Sequence, residues 1–191
     1  PEYIEMVTAW CKQYSKLPVI VKLTPNITDI RQPAAAAKRG GADAVSLINT
    51  ITSIMGVDPD TLTMTPATGG YGSHGGYCGP AVKPIALNMV SQIGRAPETA
   101  GLPISGIGGV GSWRDALDYI ALGAGNVQVC TAAMVYGFKI VQDMADGLSN
   151  WMDDKGFTSI AQFRGRALPT VTEWQHLNLR AVSKAVINQD S

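Results

Sequence analysis

Residues 103–131, PISGIGGVGSWRDALDYIALGAGNVQVCT, most constrain what this chain can fold into. A short apolar run from Pro103 to Ile107 meets a glycine turn at Gly108, Gly109 and Gly111. A helical pattern then opens at Ser112, and a second apolar run, Val127 to Cys130, follows Gly123-Ala124-Gly125. The spacing predicts strand, loop, helix, strand. Ser112 suits an N-cap, with Asp115 at the capping-box position. The turn before it frees backbone N–H groups beside a helix start, where the helix dipole also favours negative charge, so the loop suits a phosphate. Glycine turns that only reverse the chain are commoner, and GIGGVG alone is weak support. Position strengthens it: the loops at 107–112 and 130–134 follow consecutive predicted parallel strands, where barrel enzymes hold phosphates.

The 191 residues suit one domain or a piece of a larger one, and 46% hydrophobic content is ample for a core. Fifteen basic residues balance fifteen acidic ones. No field of one sign exists to attract nucleic acid or an anionic membrane, and neither is expected as a partner. No apolar run approaches the roughly 18 residues of a membrane span, and PEYIEMVTAW lacks the order of a signal peptide. Cys11, Cys78 and Cys130 are odd in number and far apart, matching neither a disulfide framework nor a metal site, so no metal is expected and a reducing cytoplasm is the expected location.

Residues 2–15 carry Ile4, Val7, Cys11 and Tyr14 at helical spacing, predicting an amphipathic helix with Cys11 in its core face. VIVKL, bounded by Pro18 and Pro25, reads as a buried parallel strand with Lys22 near its C-terminal end. Thr28-Asp29 opens the next helix and Gly40-Gly41 close it before a second strand, DAVSLIN. KRGGADAV at 38–45 is echoed by ALGAGNV at 121–127, which implies repeated βα units. Residues 51–80, rich in Gly, Thr and Pro, are too long for an ordinary connection and read as a lid, a binding loop or a disordered segment. Helical periods return over 80–95 and over a final helix at about 134–148, and a charged tail begins at Trp151. The expected domains are therefore 1–150 and a tail, 151–191.

Four strands are expected, at about 18–23, 43–48, 103–107 and 126–130. They could form a small open sheet or half of an eight-stranded barrel. The α/β half-barrel, the C-terminal half of a (β/α)8 fold, explains more. The chain opens on a helix, and polar residues cluster at strand C-termini, the chemical face of a barrel. An open doubly wound sheet would carry its phosphate loop after the first strand, whereas these glycines follow the third.

Lys22, a charge inside a predicted buried strand, needs either an ion-pair partner or an electron-rich ligand atom. Asn49-Thr50 closes the second strand, either as a plain turn or as an amide offering donor and acceptor to a heterocycle edge. His74, in a glycine-rich loop, reads as a surface residue outside any site. Cys130 reads first as a small core residue, with a backbone contact to a ligand as the alternative.

Five segments taken together, PVIVKLTPNITDI, GGADAVSLINT, GGYCGPAVKPIAL, PISGIGGVGSWRDALDYIALGA and VQVCTA, resemble in order and spacing the FMN-binding barrel of dihydropyrimidine dehydrogenases of the NAD-dependent bacterial type, relatives of dihydroorotate dehydrogenase. The resemblance implies that Lys22 contacts the flavin and that Asn49 and Thr50 hold the pyrimidine. It places Gly79 of the G-G-x-S-G turn on FMN, with Cys78 where serine is usual. Ile107, Gly108, Gly109, Cys130 and Thr131 then surround the ribityl phosphate. It further implies that the catalytic cysteine lies upstream of Pro1, leaving no catalytic residue in this stretch. AVINQDS resembles the lead-in to an iron–sulfur domain, so the clusters and the NAD site are expected on further domains or a partner subunit of an oligomer. The implied activity is reduction of uracil or thymine to the 5,6-dihydro form. The rivals are a dihydroorotate dehydrogenase on the same barrel and a non-catalytic fragment or assembly module.

Overall fold

The structure, a computed structural model, describes residues 1–177. In chain order it begins with α1 (Glu2–Tyr14), β1 (Ile20–Leu23), α2 (Arg31–Arg39) and β2 (Ala44–Leu47). Four short strands follow: β3 (Ile51–Ser53), β4 (Gly56–Val57), β5 (Met64–Thr65) and β6 (Gly75–Tyr77). Then come α3 (Lys83–Arg95), β7 (Ile104–Ile107), α4 (Trp113–Ala121), β8 (Asn126–Gln128), α5 (Thr131–Tyr136) and α6 (Lys139–Lys155).

Strands β1, β2, β7 and β8 form one parallel sheet in that order. Because crossovers between parallel strands are right-handed, a sheet whose order never reverses carries its helices on one face. That is the winding of a barrel segment, and a doubly wound sheet would show a reversal. The four expected strands are all present, and the fold is a partial (β/α)8 barrel.

Alternation along the strands sorts the two faces. Val45, Leu47 and Ile104 point toward the helices and are buried among Ala34, Ala37, Ala86, Val90 and Tyr119. Full burial of each such aliphatic side chain contributes roughly 1.5–3 kcal/mol. Lys22, Ser46, Ser105 and Asn126 stand in register on the opposite face. There Gln128 Nε2 donates to the hydroxyls of Ser46 and Ser105, each at 2.8 Å, and Ser105 bonds Asn126. This polar row is the inner face of the barrel segment.

Several local expectations need correction. Within this four-stranded sheet β1 pairs on one side only and Lys22 is exposed, whereas the apolar run reads as a buried strand; periodicity does not reveal which strand has a neighbour on each side. α1 turns a shifted face inward: Ile4 and Val7 are half-buried as expected and Thr8 is buried beside them, while Cys11 and Tyr14 are exposed. The reason is a close helix crossing at Gly40, where a Cβ would lie 2.5 Å from the Glu5 carbonyl and 2.7 Å from Thr8 Cβ. Ion pairs Arg39–Glu5 and Lys12–Asp43, both 2.7 Å, flank that crossing.

Residues 51–80 are an ordered β arm. Antiparallel pairs β3–β6 and β4–β5 build it, satisfying backbone groups that a bare loop would leave to water. The final helix is two helices, broken at Gly137 with φ 76°. α6 runs through the expected boundary at 150. Beyond it, Trp151, Phe157 and Phe163 pack in tilted and edge-on contacts with ring centroids 5.1–5.6 Å apart. Gly165 and Ala167 then donate backbone bonds to Ile120 and Ala121, strapping this stretch onto α4. AVINQDS, at 185–191, lies outside the described residues.

Candidate functional site

A cavity of about 350 Å³ opens at the C-terminal ends of the four parallel strands, within the range of roughly 300–1,000 Å³ usual for small-molecule clefts. Each strand contributes: Lys22 from β1, Ile48 to Thr50 after β2, Ile107 to Ser112 after β7, and Gln128, Cys130 and Thr131 from the end of β8 onward. The β arm returns through Tyr77, Cys78 and Gly79 to close one wall. All nine residues singled out in the sequence therefore line one space, although 109 positions separate Lys22 from Thr131. His74 does not line it.

At one end is the glycine loop. Gly108 and Gly109 have φ of 133° and 66°, values that L side chains rarely adopt. Space is also restrictive at Gly109, where a Cβ would stand 2.8 Å from the Gly79 carbonyl oxygen and 2.9 Å from Lys83 Cβ. The loop is pinned from below by Tyr119, fully buried, whose hydroxyl donates to the Gly108 carbonyl at 2.6 Å. Burial, with Asp115 and Asp118 nearby, raises the phenol well above its usual pKa, so it remains a donor. Tyr119→Phe should lower stability by about 1–3 kcal/mol, because the Gly108 carbonyl loses its bond from inside the protein. An unchanged thermal midpoint would show that the bond pins nothing.

Lys83 and Asp115 hold the loop from the side. Lys83 Nζ pairs with Asp115 at 2.5 Å and Asp118 at 2.7 Å. Asp115 Oδ2 also accepts from Gly111 N–H at 3.0 Å and from the Ser112 hydroxyl at 2.8 Å. Ser112 Oγ in turn accepts from Asp115 N–H, as a cap should, but the returning carboxylate reaches Gly111 rather than the cap residue's own N–H. Burial opposes charge on both partners, yet the hydrogen bonds outweigh it. Asp115 is held below the usual carboxylate range, and Lys83 above its ordinary value.

At the other end are Asn49 and Thr50. Asn49 Oδ1 accepts from the Thr50 N–H at 2.9 Å, which fixes the orientation of its amide and leaves the NH2 group to donate. Gly76 of the β arm packs against the Thr50 side chain with no room for a Cβ. Lys22 has no ion-pair partner among the described residues. Cys130, expected in the core, is exposed beside Thr131 at the start of α5, and Thr131 Oγ1 donates to Cys78 Sγ at 3.4 Å. All three cysteines are free thiols.

Residues 1–152 match the dihydroorotate dehydrogenase family. The chain belongs to that family. The NAD-dependent dihydropyrimidine dehydrogenase subunit PreA of Escherichia coli is 43% identical over 190 residues, covering 100% of this chain and 46% of that protein. The chloroplastic dihydropyrimidine dehydrogenase (NADP+) of Arabidopsis thaliana is 38% identical over 97% of this chain and 44% of its own length. The catalytic subunit of dihydroorotate dehydrogenase B from Pyrococcus abyssi is 38% identical over 88% of this chain and 54% of its own. The chain thus spans about half the length of these relatives.

Within this member of the dihydroorotate dehydrogenase family, the residues fit a ligand with a phosphate at its glycine-loop end. Gly108 and Gly109 leave the backbone uncovered, and Lys83 is already neutralised by two aspartates. The backbone N–H groups are therefore what remains to hold an anion, joined by the Thr131 hydroxyl when it turns from Cys78 Sγ. Lys83 and Tyr119 escaped the sequence reading. Lys83 and Asp115 lie 32 positions apart, and no local spacing announces their pairing. Among the described residues, no group of three or more His, Cys, Asp or Glu is placed to hold a metal, and no helix is long and apolar enough to cross a membrane.

Proposed function

We propose that the chain forms part of the FMN-binding barrel of a dihydropyrimidine dehydrogenase, which reduces uracil or thymine to the 5,6-dihydro form with electrons from a nicotinamide nucleotide. The observation that supports this best is the gathering of all nine residues into one cavity at the ends of consecutive parallel strands, in a chain 43% identical to a dihydropyrimidine dehydrogenase subunit. FMN, when bound, supplies the hydride chemistry.

The chain's own residues bind and orient. The backbone at Gly108 and Gly109, beside Ile107, with Cys130 and Thr131 opposite, holds the ribityl phosphate, and Gly79 borders the flavin. Lys22 lends positive charge to the flavin ring edge. Asn49 donates through its NH2 group to a pyrimidine carbonyl, and Thr50 flanks it. We assign the ring's proton to a cysteine upstream of Pro1. Iron–sulfur clusters and the NAD site are assigned to other domains or a partner subunit.

The test is the full-length protein. It should be yellow, fluoresce as a flavoprotein and reduce uracil. Colourless protein would favour a non-catalytic role. A second reading, dihydroorotate dehydrogenase, draws support from the family match and from the similarity to the Pyrococcus abyssi catalytic subunit. Oxidation of dihydroorotate with no action on uracil would establish it in place of the first.

Asn49→Ala should raise the pyrimidine KM and lower kcat while leaving flavin content near normal. Loss of a buried hydrogen bond to the ligand costs roughly 1–3 kcal/mol. Flavin loss with unchanged pyrimidine affinity would reverse the assignment.

A further inference from the structure

We propose that Asn26 is a positioning residue, tying the exit of β1 to the Asn49–Thr50 corner and so setting the side chains that meet the pyrimidine; this rests on the function proposed above. Asn26 does not line the cavity, and nothing in the sequence singled it out.

Its amide bridges two segments that the chain separates by 24 to 26 residues. Nδ2 donates to the Thr50 carbonyl at 3.1 Å, and Oδ1 accepts from the Thr52 N–H at 2.9 Å. Both partners are backbone groups of fixed polarity, so only one orientation of the amide satisfies them. The same Nδ2 donates to Thr24 Oγ1 at 3.0 Å, and Thr24 Oγ1 also accepts from the Asn26 N–H at 3.2 Å. The side chain is thus held at both ends before any ligand arrives.

What it holds is the corner itself. The Asn49 N–H donates to the Leu23 carbonyl at 2.9 Å, and the Thr50 N–H donates to Asn49 Oδ1 at 2.9 Å. A shift of Thr50 would therefore turn the Asn49 amide away from its set orientation. Without Asn26, the corner keeps the Leu23 bond, the bond from Ile48 N–H to the Ile107 carbonyl at 2.7 Å and the β3–β6 ladder from Ile51 onward. It loses the tie from the exit of β1 to Thr50 and Thr52, and Thr50 gains freedom to shift. A positioned amide that is loosened weakens ligand binding without removing the contact.

The test is a double-mutant cycle in the full-length flavoprotein, with uracil as the probe. Asn26→Ala should raise the pyrimidine KM by about tenfold, with kcat within about threefold and flavin content unchanged. The Asn26→Ala/Asn49→Ala double variant should be no worse than Asn49→Ala alone, because Asn26 acts through Asn49. Additive effects would overturn the inference, since Asn26 would then act by another route. So would an unchanged KM in Asn26→Ala beside a raised one in Asn49→Ala, and in that case the pyrimidine reading would stand. An unchanged KM in Asn49→Ala would remove the pyrimidine reading and this inference with it. If Asn26→Ala does not fold, Asn26→Asp, which keeps the acceptor for Thr52 N–H and loses the donor to Thr50, runs through the same cycle with the same decisions.

Discussion

Lys22→Met in the full-length enzyme is expected to slow flavin-dependent turnover by about 10²- to 10³-fold, the usual effect of removing one preorganised group that stabilises developing charge. Methionine retains most of the apolar stem and removes only the cation. Lys22 has no ion-pair partner among the described residues, so its removal breaks no salt bridge there. Folding should therefore be little affected, and the loss should fall on kcat. The measurement is steady-state turnover of variant protein with flavin content and thermal midpoint checked in parallel. Normal turnover in a folded, flavin-loaded variant would remove Lys22 from the flavin site.

Gly109→Ala should damage both the fold and the phosphate end. An L residue at φ 66° costs roughly 1–2 kcal/mol. The added methyl would also stand 2.8 Å from the Gly79 carbonyl oxygen and 3.1 Å from Pro80 Cα, backbone atoms that cannot swing aside, which adds roughly 1–3 kcal/mol of overpacking. Relief would require the loop to part from Gly79, opening the wall that both residues build, so flavin should be lost as well. Gly111→Ala is the control. Its nearest neighbours would be Asp115 Oδ2 at 3.8 Å and Ala132 Cβ at 3.9 Å, ordinary contacts, and its thermal midpoint should stay close to the parent's. Equal behaviour of the two variants would show that the Gly109 turn is not under this constraint.

Much of the architecture was legible because it is local. The β-branched runs at 18–23 and 43–48 and the glycine turn before Ser112 are short-range signals, and each became the strand or cap expected of it, with ends shifted by a residue or two. The arm over 51–80 was not legible, since its ladders are two or three residues long and too short for alternation to register. α1 was misread for a related reason. Ile4 and Val7 do face inward, but Gly40 lets α2 approach closely at Thr8, and the helix is turned so that Cys11 and Tyr14, the other half of the stripe, are exposed.

The same division runs through the site. The sequence by itself determined the order of βα units and the glycine turn before Ser112, features that depend on backbone geometry and on residue types within a few positions of one another. The nine residues that line one cavity were named by the resemblance of five ordered segments to a known family, because no local spacing links Lys22 to Thr131. Only the tertiary structure decided that Lys83 is held by Asp115 and Asp118, that Tyr119 pins Gly108, and that Asn26 reaches Thr50 and Thr52. Each of these joins groups 11 to 35 positions apart. Such contacts depend on how the helices and strands pack against one another, which residue spacing within a single element does not encode.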